Sequence, residues 1–166
     1  MTLSAHPKNA PTMRDGSAAK DRVRLWLRIL KVHKTVEGEL RERLRLTFDT
    51  TLPRFDVMAA LARNEQGMKM SELSRMLMVS NGNVTGIVDR LTQDGLMLRE
   101  AVPGDRRAAR VRLTSKGAEE FAKQAEAHEQ WVSELLGGIE GEDSQAVADL
   151  LLAALRPSDD THNGVS

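Results

Sequence analysis

The sequence contains no cysteine and no tyrosine, and aromatic residues make up only 3% of its 166 positions. The lack of cysteine excludes disulfide bonds and thiol-based redox sensing, and it removes the usual ligands of a structural zinc site. The four histidines show no metal-ligand spacing with the carboxylates, so we expect no metal and no cofactor. Abundant leucine, alanine, methionine, arginine and glutamate favour helices, and we predict a mostly α fold.

Long hydrophobic runs are also missing. No apolar stretch approaches the roughly 20 residues that a bilayer-spanning helix needs, and the N-terminus lacks the apolar core of a secretory signal. We therefore expect a cytoplasmic protein with no membrane partner. Since the sequence offers no nucleophile-base pair, phosphate-binding loop or credible carboxylate pair, we also expect that the protein is not an enzyme.

The formal net charge is zero, but the charges are unevenly distributed. Residues 21–46 carry eight basic and four acidic residues, and residues 80–116 carry seven basic and four acidic residues. Residues 117–166, in contrast, carry two basic and eleven acidic residues. A basic front and an acidic back would orient the protein on a polyanion. Ordinary solvated helix faces would explain the same distribution, above all in the acidic segment.

The chain is predicted to form one domain between two flexible tails. Residues 1–19 and 157–166 are rich in small and polar residues without periodicity, which is typical of mobile segments. The domain therefore covers about 20–156. From Asp21 to about Leu46, apolar residues recur at three- and four-residue steps, and this period predicts a long amphipathic first helix.

Two short helices come next. Pro53 suits the first turn of a second helix that ends before the breaker at residues 64–67. The inward face of this helix is predicted to consist of Phe55, Val57, Met58 and Leu61. A third helix is predicted over about Ser71 to Met78.

The fourth predicted helix has the most informative pattern. Ser80 is a favourable N-cap, and Gly95 ends the helix after about Gln93. Its buried stripe is predicted to consist of Val84, Ile87, Val88 and Leu91. The opposite face is centred on Gly82 and Gly86. A mid-helix glycine lowers helix stability by about 1 kcal/mol relative to alanine. The close approach of another surface to this face would explain why the sequence has glycine at both positions.

Two strands around an arginine-bearing turn follow this helix. They are predicted over Leu96–Val102 and Ala109–Thr114, with the turn at residues 103–105. Helix, turn, capped helix and two-stranded wing together predict a winged helix-turn-helix over about residues 53–114. Ser115 is expected to cap a fifth helix, and a sixth is expected over about 144–155.

The residue types on this array fit double-stranded DNA. The second helix of such a motif enters the major groove, where Asn81 and Asn83 can pair with adenine and Thr85 can contact a thymine methyl group or a phosphate. An arginine of the wing would enter a narrow minor groove, and Asp105 would fix the wing by bonding to an arginine or to the turn backbone. The predicted DNA-binding residues are Ser80, Asn81, Gly82, Asn83, Thr85, Gly86, Arg90, Asp105, Arg106, Arg107 and Arg110.

The segments MSELSRMLMVSNGNVTGIVDRLTQDGLMLRE and DRRAARVRLTSKG resemble the multiple-antibiotic-resistance regulator (MarR) family. The most specific features are Asp105, Arg106, Leu113, Thr114 and Gly117. The resemblance covers about 21–156 and implies a homodimer in which dimerisation helices at about 21–46 and 115–156 interlock, while two winged helices bind a palindromic operator. Gly86 departs from the family, because many members carry a larger, often basic residue there.

A narrower resemblance links TLPRFDVMAAL, LMVSNGNVT and RLWLRILKVHKTVEGELRERLR to the branch that regulates hydroxycinnamate or other aromatic-acid catabolism. It implies a repressor released by an aryl-CoA thioester such as a hydroxycinnamoyl-CoA. A free aromatic acid, as a small anionic ligand, stays open as the effector. By analogy, the pocket would lie between the first, second and fifth helices. The predicted effector-binding residues are Arg22, Trp26, Arg28, Leu30, His33, Lys34, Phe55, Met58, Met76 and Met78.

Alternatives stay open for both sites. Core packing would explain the apolar members of the effector set, and DNA phosphates or solvation would explain its basic members. A second function class is a non-enzymatic helical dimer that acts by protein association, with the winged helix as the partner surface.

Overall fold

The computed structural model describes residues 15–102 and 105–155. In this part of the chain, six helices and three strands pack as a mostly helical protein with a small antiparallel sheet, which confirms the predicted winged helix-turn-helix. The elements are α1 (Asp15–Phe48), α2 (Leu52–Ala62), β1 (Met68–Lys69), α3 (Met70–Met76), α4 (Asn81–Gln93), β2 (Met97–Val102), β3 (Asp105–Leu113), α5 (Ser115–Leu135) and α6 (Gly141–Ala154). Within the described ranges, no helix has both the length and the hydropathy of a membrane span.

Helix α1 is longer than the helix predicted from the apolar period. It begins at Asp15 rather than Asp21, because Ala18, Ala19 and Lys20 are strong helix formers that continue the helix beyond its amphipathic part. Residues 15–19 are therefore helical, contrary to the predicted N-terminal tail, while residues 1–14 and the predicted tail at 157–166 lie outside the described residues. Much of the apolar side of α1 stays exposed in the protomer, and Trp26 is 56% exposed.

The helix boundaries follow local capping. Thr51 and Ser80 accept backbone N–H bonds at the starts of α2 and α4, the latter as predicted. Helix α3 ends at Met76, two residues earlier than predicted, because Met78 adopts a left-handed φ of 54°. Thr114, and not Ser115, caps α5: its Oγ1 accepts the N–H of Gly117 at 3.0 Å. Helix α6 begins at 141 rather than at 144.

The sheet has the strand order β1-β3-β2, and both pairings are antiparallel. Strand β1 was not predicted, because two residues are too short to give an alternating pattern. Strand β3 begins at Asp105 rather than Ala109, so the predicted turn residue Asp105 belongs to the strand. A register shift after Ala101 allows Val102 to pair with Asp105. The other predicted turn residues, 103 and 104, lie outside the described part.

The core lies between α2, α3, α4 and the sheet. All four residues predicted for the inner face of α2 are buried, and in α4 Val84, Val88 and Leu91 have no exposed surface, while Ile87 is partly buried. Leu73 from α3, Met97 from β2 and Val111 from β3 are also fully buried and close this cluster. Burial of the predicted stripe fixes the rotation of α4 and turns its glycine side outward.

Gly117 of α5 packs against the backbone of Leu96, which lies between α4 and β2. A Cβ on residue 117 would lie 1.9 Å from the carbonyl oxygen of Leu96, so no side chain fits without movement of the backbone. We expect Gly117→Ala to lower the free energy of unfolding by about 1–3 kcal/mol, as overpacking does. Urea denaturation measures this change. Gly138→Ala is the matched control, because its Cβ would meet nothing within 4 Å; an equal loss in both variants would contradict the steric account.

Candidate nucleic-acid interface

The outward side of α4 is open. A Cβ on Gly82 or Gly86 would meet no protein atom within 4 Å, and Asn83, Thr85 and Arg90 are exposed on the same helix. Asn83 and Arg90 make no side-chain hydrogen bond to the described residues, whereas the Thr85 hydroxyl donates to the Asn81 carbonyl at 2.8 Å. This surface therefore presents two glycines beside Asn83 and Arg90, whose side chains make no hydrogen bond to the described residues.

Two of the predicted DNA-binding residues stabilise the motif itself. The Ser80 hydroxyl oxygen accepts the backbone N–H of Asn83 at 3.3 Å and so caps α4. The Asn81 side-chain oxygen accepts a hydrogen bond from the Ser74 hydroxyl and ties α4 to α3. Because Asn81 is already bonded within the protein, its side chain is less available for an adenine edge than that of Asn83.

The wing is anchored by ion pairs along its strands. Arg99 pairs with Asp89 at 2.5 Å and joins β2 to α4, and Arg112 pairs with Glu100 at 2.8 Å across the two strands. The Arg110 guanidinium donates to the Gln66 carbonyl at 3.1 Å, which directs it toward the loop before β1. The side chains of the predicted wing residues Asp105, Arg106 and Arg107 lie outside the described part of the structure.

A basic cleft of about 720 Å³ adjoins the glycine face. Its arginines come from three helices and are Arg41 and Arg45 of α1, Arg54 of α2 and Arg90 of α4. Arg45 also pairs with Glu42 at 2.6 Å, and this hydrogen bond lowers the pKa of the Glu42 carboxyl. Sequence reasoning missed the first three arginines, since only the fold brings the end of α1 beside α4. The spacing of Arg41 and Arg45 on one face of α1 was the available signal.

The predicted effector residues are not brought together by the described structure. Arg22, Trp26, Arg28 and Lys34 are exposed along α1, Leu30 is partly buried, and His33 lies 3.4 Å from Glu37. Met58 has no exposed surface and belongs to the core, whereas Met76 and Met78 are 53% and 93% exposed at the α3–α4 turn. Phe55 is buried and contacts Phe121 and His128 instead.

A smaller groove of about 340 Å³ does lie between α1, α2 and α5, and His33 is the one predicted effector residue along it. The apolar part of its lining is Val32, Val36, Leu40, Leu52 and Leu136. Two of the titratable groups that line it, His128 and Asp56, have shifted pKa values. Burial lowers the pKa of the His128 imidazole, and burial together with the nearby Glu37 raises the pKa of the Asp56 carboxyl.

The fold and the open helix face define a winged helix-turn-helix protein, and comparison with known proteins agrees. A family model described as MarR matches residues 50–109. A MarR family transcriptional regulator from Silicibacter pomeroyi is 36% identical, with a TM-score of 0.69 over 83% of this chain and 95% of that chain. A mutant MarR from E. coli, crystallised with operator DNA, is 25% identical, with a TM-score of 0.72 over 82% and 96% of the two chains. The chain therefore belongs to the MarR family of transcriptional regulators and is not an enzyme.

Among curated proteins, the HTH-type transcriptional regulator PecS of Dickeya dadantii is 29% identical over 99 residues. The match covers 58% of this chain and 60% of PecS, so the chain spans less than two thirds of the length of this relative.

The His128 imidazole makes stability depend on pH. It stacks on Phe55 with ring centroids 4.5 Å apart, and because its pKa is lowered in the folded state, unfolding takes up a proton as the pH falls below about 6.5. The stabilisation is therefore complete above the unfolded-state pKa and is lost as the pH falls through the folded-state pKa. We expect the free energy of unfolding to decrease between pH 7 and pH 5, and to decrease less in His128→Gln.

Urea denaturation at a fixed protein concentration, repeated at several pH values, measures this effect. Comparison at pH 8, where the imidazole is neutral in both states, gives the contribution of packing alone. If both proteins lose stability equally from pH 7 to pH 5, then His128 does not cause the pH dependence.

Proposed function

We propose that this chain is a homodimeric, ligand-responsive repressor that binds a palindromic operator. The observation that carries the proposal is the outward glycine face of α4, whose rotation is fixed by the burial of Val84, Val88 and Leu91 on its other side. A helix face that lacks side chains at Gly82 and Gly86 lies deeper in a major groove, and the neighbouring Asn83 and Arg90 have polar groups that can distinguish base edges.

The charges around α4 support the same assignment. Arg90 of the basic cleft makes no ion pair with the described residues and can reach a base edge or a phosphate beside the glycine face, whereas Arg41, Arg45 and Arg54 already pair with Glu37, Glu42 and Asp94. The wing carries Arg106 and Arg107 in its sequence and suits the adjoining minor groove. The operator-bound MarR of E. coli, which shares this fold, supports DNA as the partner.

Dimerisation through α1, α5 and α6 would cover apolar surface that a soluble monomer rarely exposes. The exposed apolar side chains of α1 include Val23, Leu25, Trp26 and Leu27, and those of α6 include Leu150, Leu151 and Leu152. A second copy of the chain is the partner that the family membership favours. Two recognition helices related by a two-fold axis would require a palindromic operator.

A small aromatic effector would act by changing the distance between the two recognition helices. The groove between α1, α2 and α5 suits an aromatic ring, because five of its lining residues are aliphatic. For an aryl-CoA, the exposed basic residues Arg22, Arg28 and Lys34 of α1 would receive the phosphates. A ligand that binds more tightly to the dimer with the wrong spacing must weaken operator binding, because the two equilibria are linked.

A salt titration on palindromic DNA tests the proposed function. We expect affinity to fall steeply with salt, and the operator to be preferred over random DNA by about three orders of magnitude or more, because phosphate contacts release counterions and base contacts specify sequence. Fluorescence anisotropy at several salt concentrations measures both quantities. A flat salt response without sequence preference would support the protein-interaction module instead.

Gly82→Ala tests the glycine face within the same assay. The added methyl group meets no protein atom, so we expect the free energy of unfolding to rise by up to about 1 kcal/mol. We expect operator affinity to fall about tenfold, because the methyl group enters the protein–DNA interface. Gly138→Ala, which is remote from α4 in sequence and equally open, is the control and should bind the operator as the wild type does. Unchanged affinity in Gly82→Ala would contradict the placement of α4 in the groove.

The effector is tested on a preformed complex of protein and operator. We expect coumaroyl-CoA or feruloyl-CoA to release the DNA at lower concentration than benzoyl-CoA or the free acids, because the thioester can occupy both the apolar groove and the basic stretch of α1. Anisotropy of labelled DNA reports release. If the free acids act equally well, the CoA moiety makes no contribution; if none of the compounds releases DNA, the aryl-CoA assignment is wrong and the DNA assignment is unaffected.

A further inference from the structure

The C-terminal end of α4 is bonded directly to the start of α5. The Thr114 hydroxyl donates to the Gly95 carbonyl at 2.8 Å, and the Thr114 backbone N–H donates to the Leu96 carbonyl at 3.0 Å. The same hydroxyl oxygen accepts the N–H of Gly117 and so caps α5. The Thr114 side chain therefore holds the first turn of α5 against Gly95, the residue that follows the C-cap of α4.

Further contacts reinforce this junction. The Lys116 ammonium donates to the Asp94 carbonyl at 3.0 Å, and the Asp94 carboxylate pairs with Arg54 of α2. Gly117 leaves no free space against Leu96. We call the set formed by Asp94, Gly95, Leu96, Thr114, Lys116 and Gly117 the α4–α5 junction.

At its other end, α5 is joined to α1. The Phe48 and Trp131 rings pack with centroids 6.1 Å apart, and Arg43 pairs with Glu134 at 2.6 Å. Helices α1 and α5 are those that the proposed dimer uses. The direction of α4 relative to a partner protomer is therefore set through α5, and the α4–α5 junction is the bonded link between them.

We infer that the α4–α5 junction determines which spacing of operator half-sites the dimer accepts, with Thr114 as its positioning residue. This inference rests on the proposed function. One inserted base pair moves the two half-sites apart by about 3.4 Å and rotates them by about 35°. A dimer with a tight junction bears the full free-energy cost of that mismatch, whereas a dimer with a loose junction can reorient the whole winged helix relative to α5, with α4 held inside it by the core, and accept the mismatch.

The experiment compares Thr114→Val with Thr114→Ser on three operators, which have the native spacing or one base pair more or fewer. Valine keeps the shape of threonine and loses both hydroxyl contacts, while serine keeps the hydroxyl. We expect the wild type and Thr114→Ser to prefer the native spacing by about tenfold or more, and Thr114→Val to lose most of that preference. Partial unfolding alone would weaken binding to all three operators equally and would leave the ratio unchanged.

Lys116→Met gives a second measure that does not disturb the cap of α5. We expect it to lower the spacing preference in the same direction, and Lys123→Met, an exposed position two turns further along α5, to leave it unchanged. If the wild type discriminates between spacings and both junction variants discriminate as strongly, the inference is wrong and the proposed function stands. If the wild type binds no palindrome preferentially, the proposed function itself fails.

Discussion

The burial of one side of α4 is the constraint on which the rest of the structure depends. Val84, Val88 and Leu91 have no exposed surface, and any rotation of the helix would bring polar residues into the core or expose these side chains to water. The outward position of Gly82 and Gly86 follows from this packing. The orientation of the outer face of α4 is thus determined by apolar contacts within the core.

The order and type of most elements could be predicted from the sequence, because their signals are local. The apolar stripe and the N-cap Ser80 placed α4 correctly, and Gly95 ends that helix in a left-handed conformation, as predicted. The sequence pattern failed where structure depends on pairing or on single backbone angles. Strand β1 needs β3 beside it, and the early end of α3 depends on the left-handed backbone at Met78.

The candidate sites show the same division. The exposed face of α4 could be predicted, since one helix carries all of it. The basic cleft could not, because Arg41, Arg54 and Arg90 come from three helices that only the tertiary fold brings together. The predicted effector-binding residues were selected by residue type along the chain. In the fold, Met58 is buried in the core whereas Met78 is exposed on the surface. Residue type alone does not determine which elements share a groove.

The bond between Ser74 and Asn81 limits how the DNA preference of this protein can change. Position 81 supports the turn between α3 and α4, so a new side chain there disturbs the scaffold as well as any base contact. The Asn83 side chain makes no such hydrogen bond to the described residues, and Arg90 lies further along the same open face of α4. Retargeting to a different operator, in evolution or by design, is therefore least costly at these two positions, where recognition can diverge while the motif stays intact.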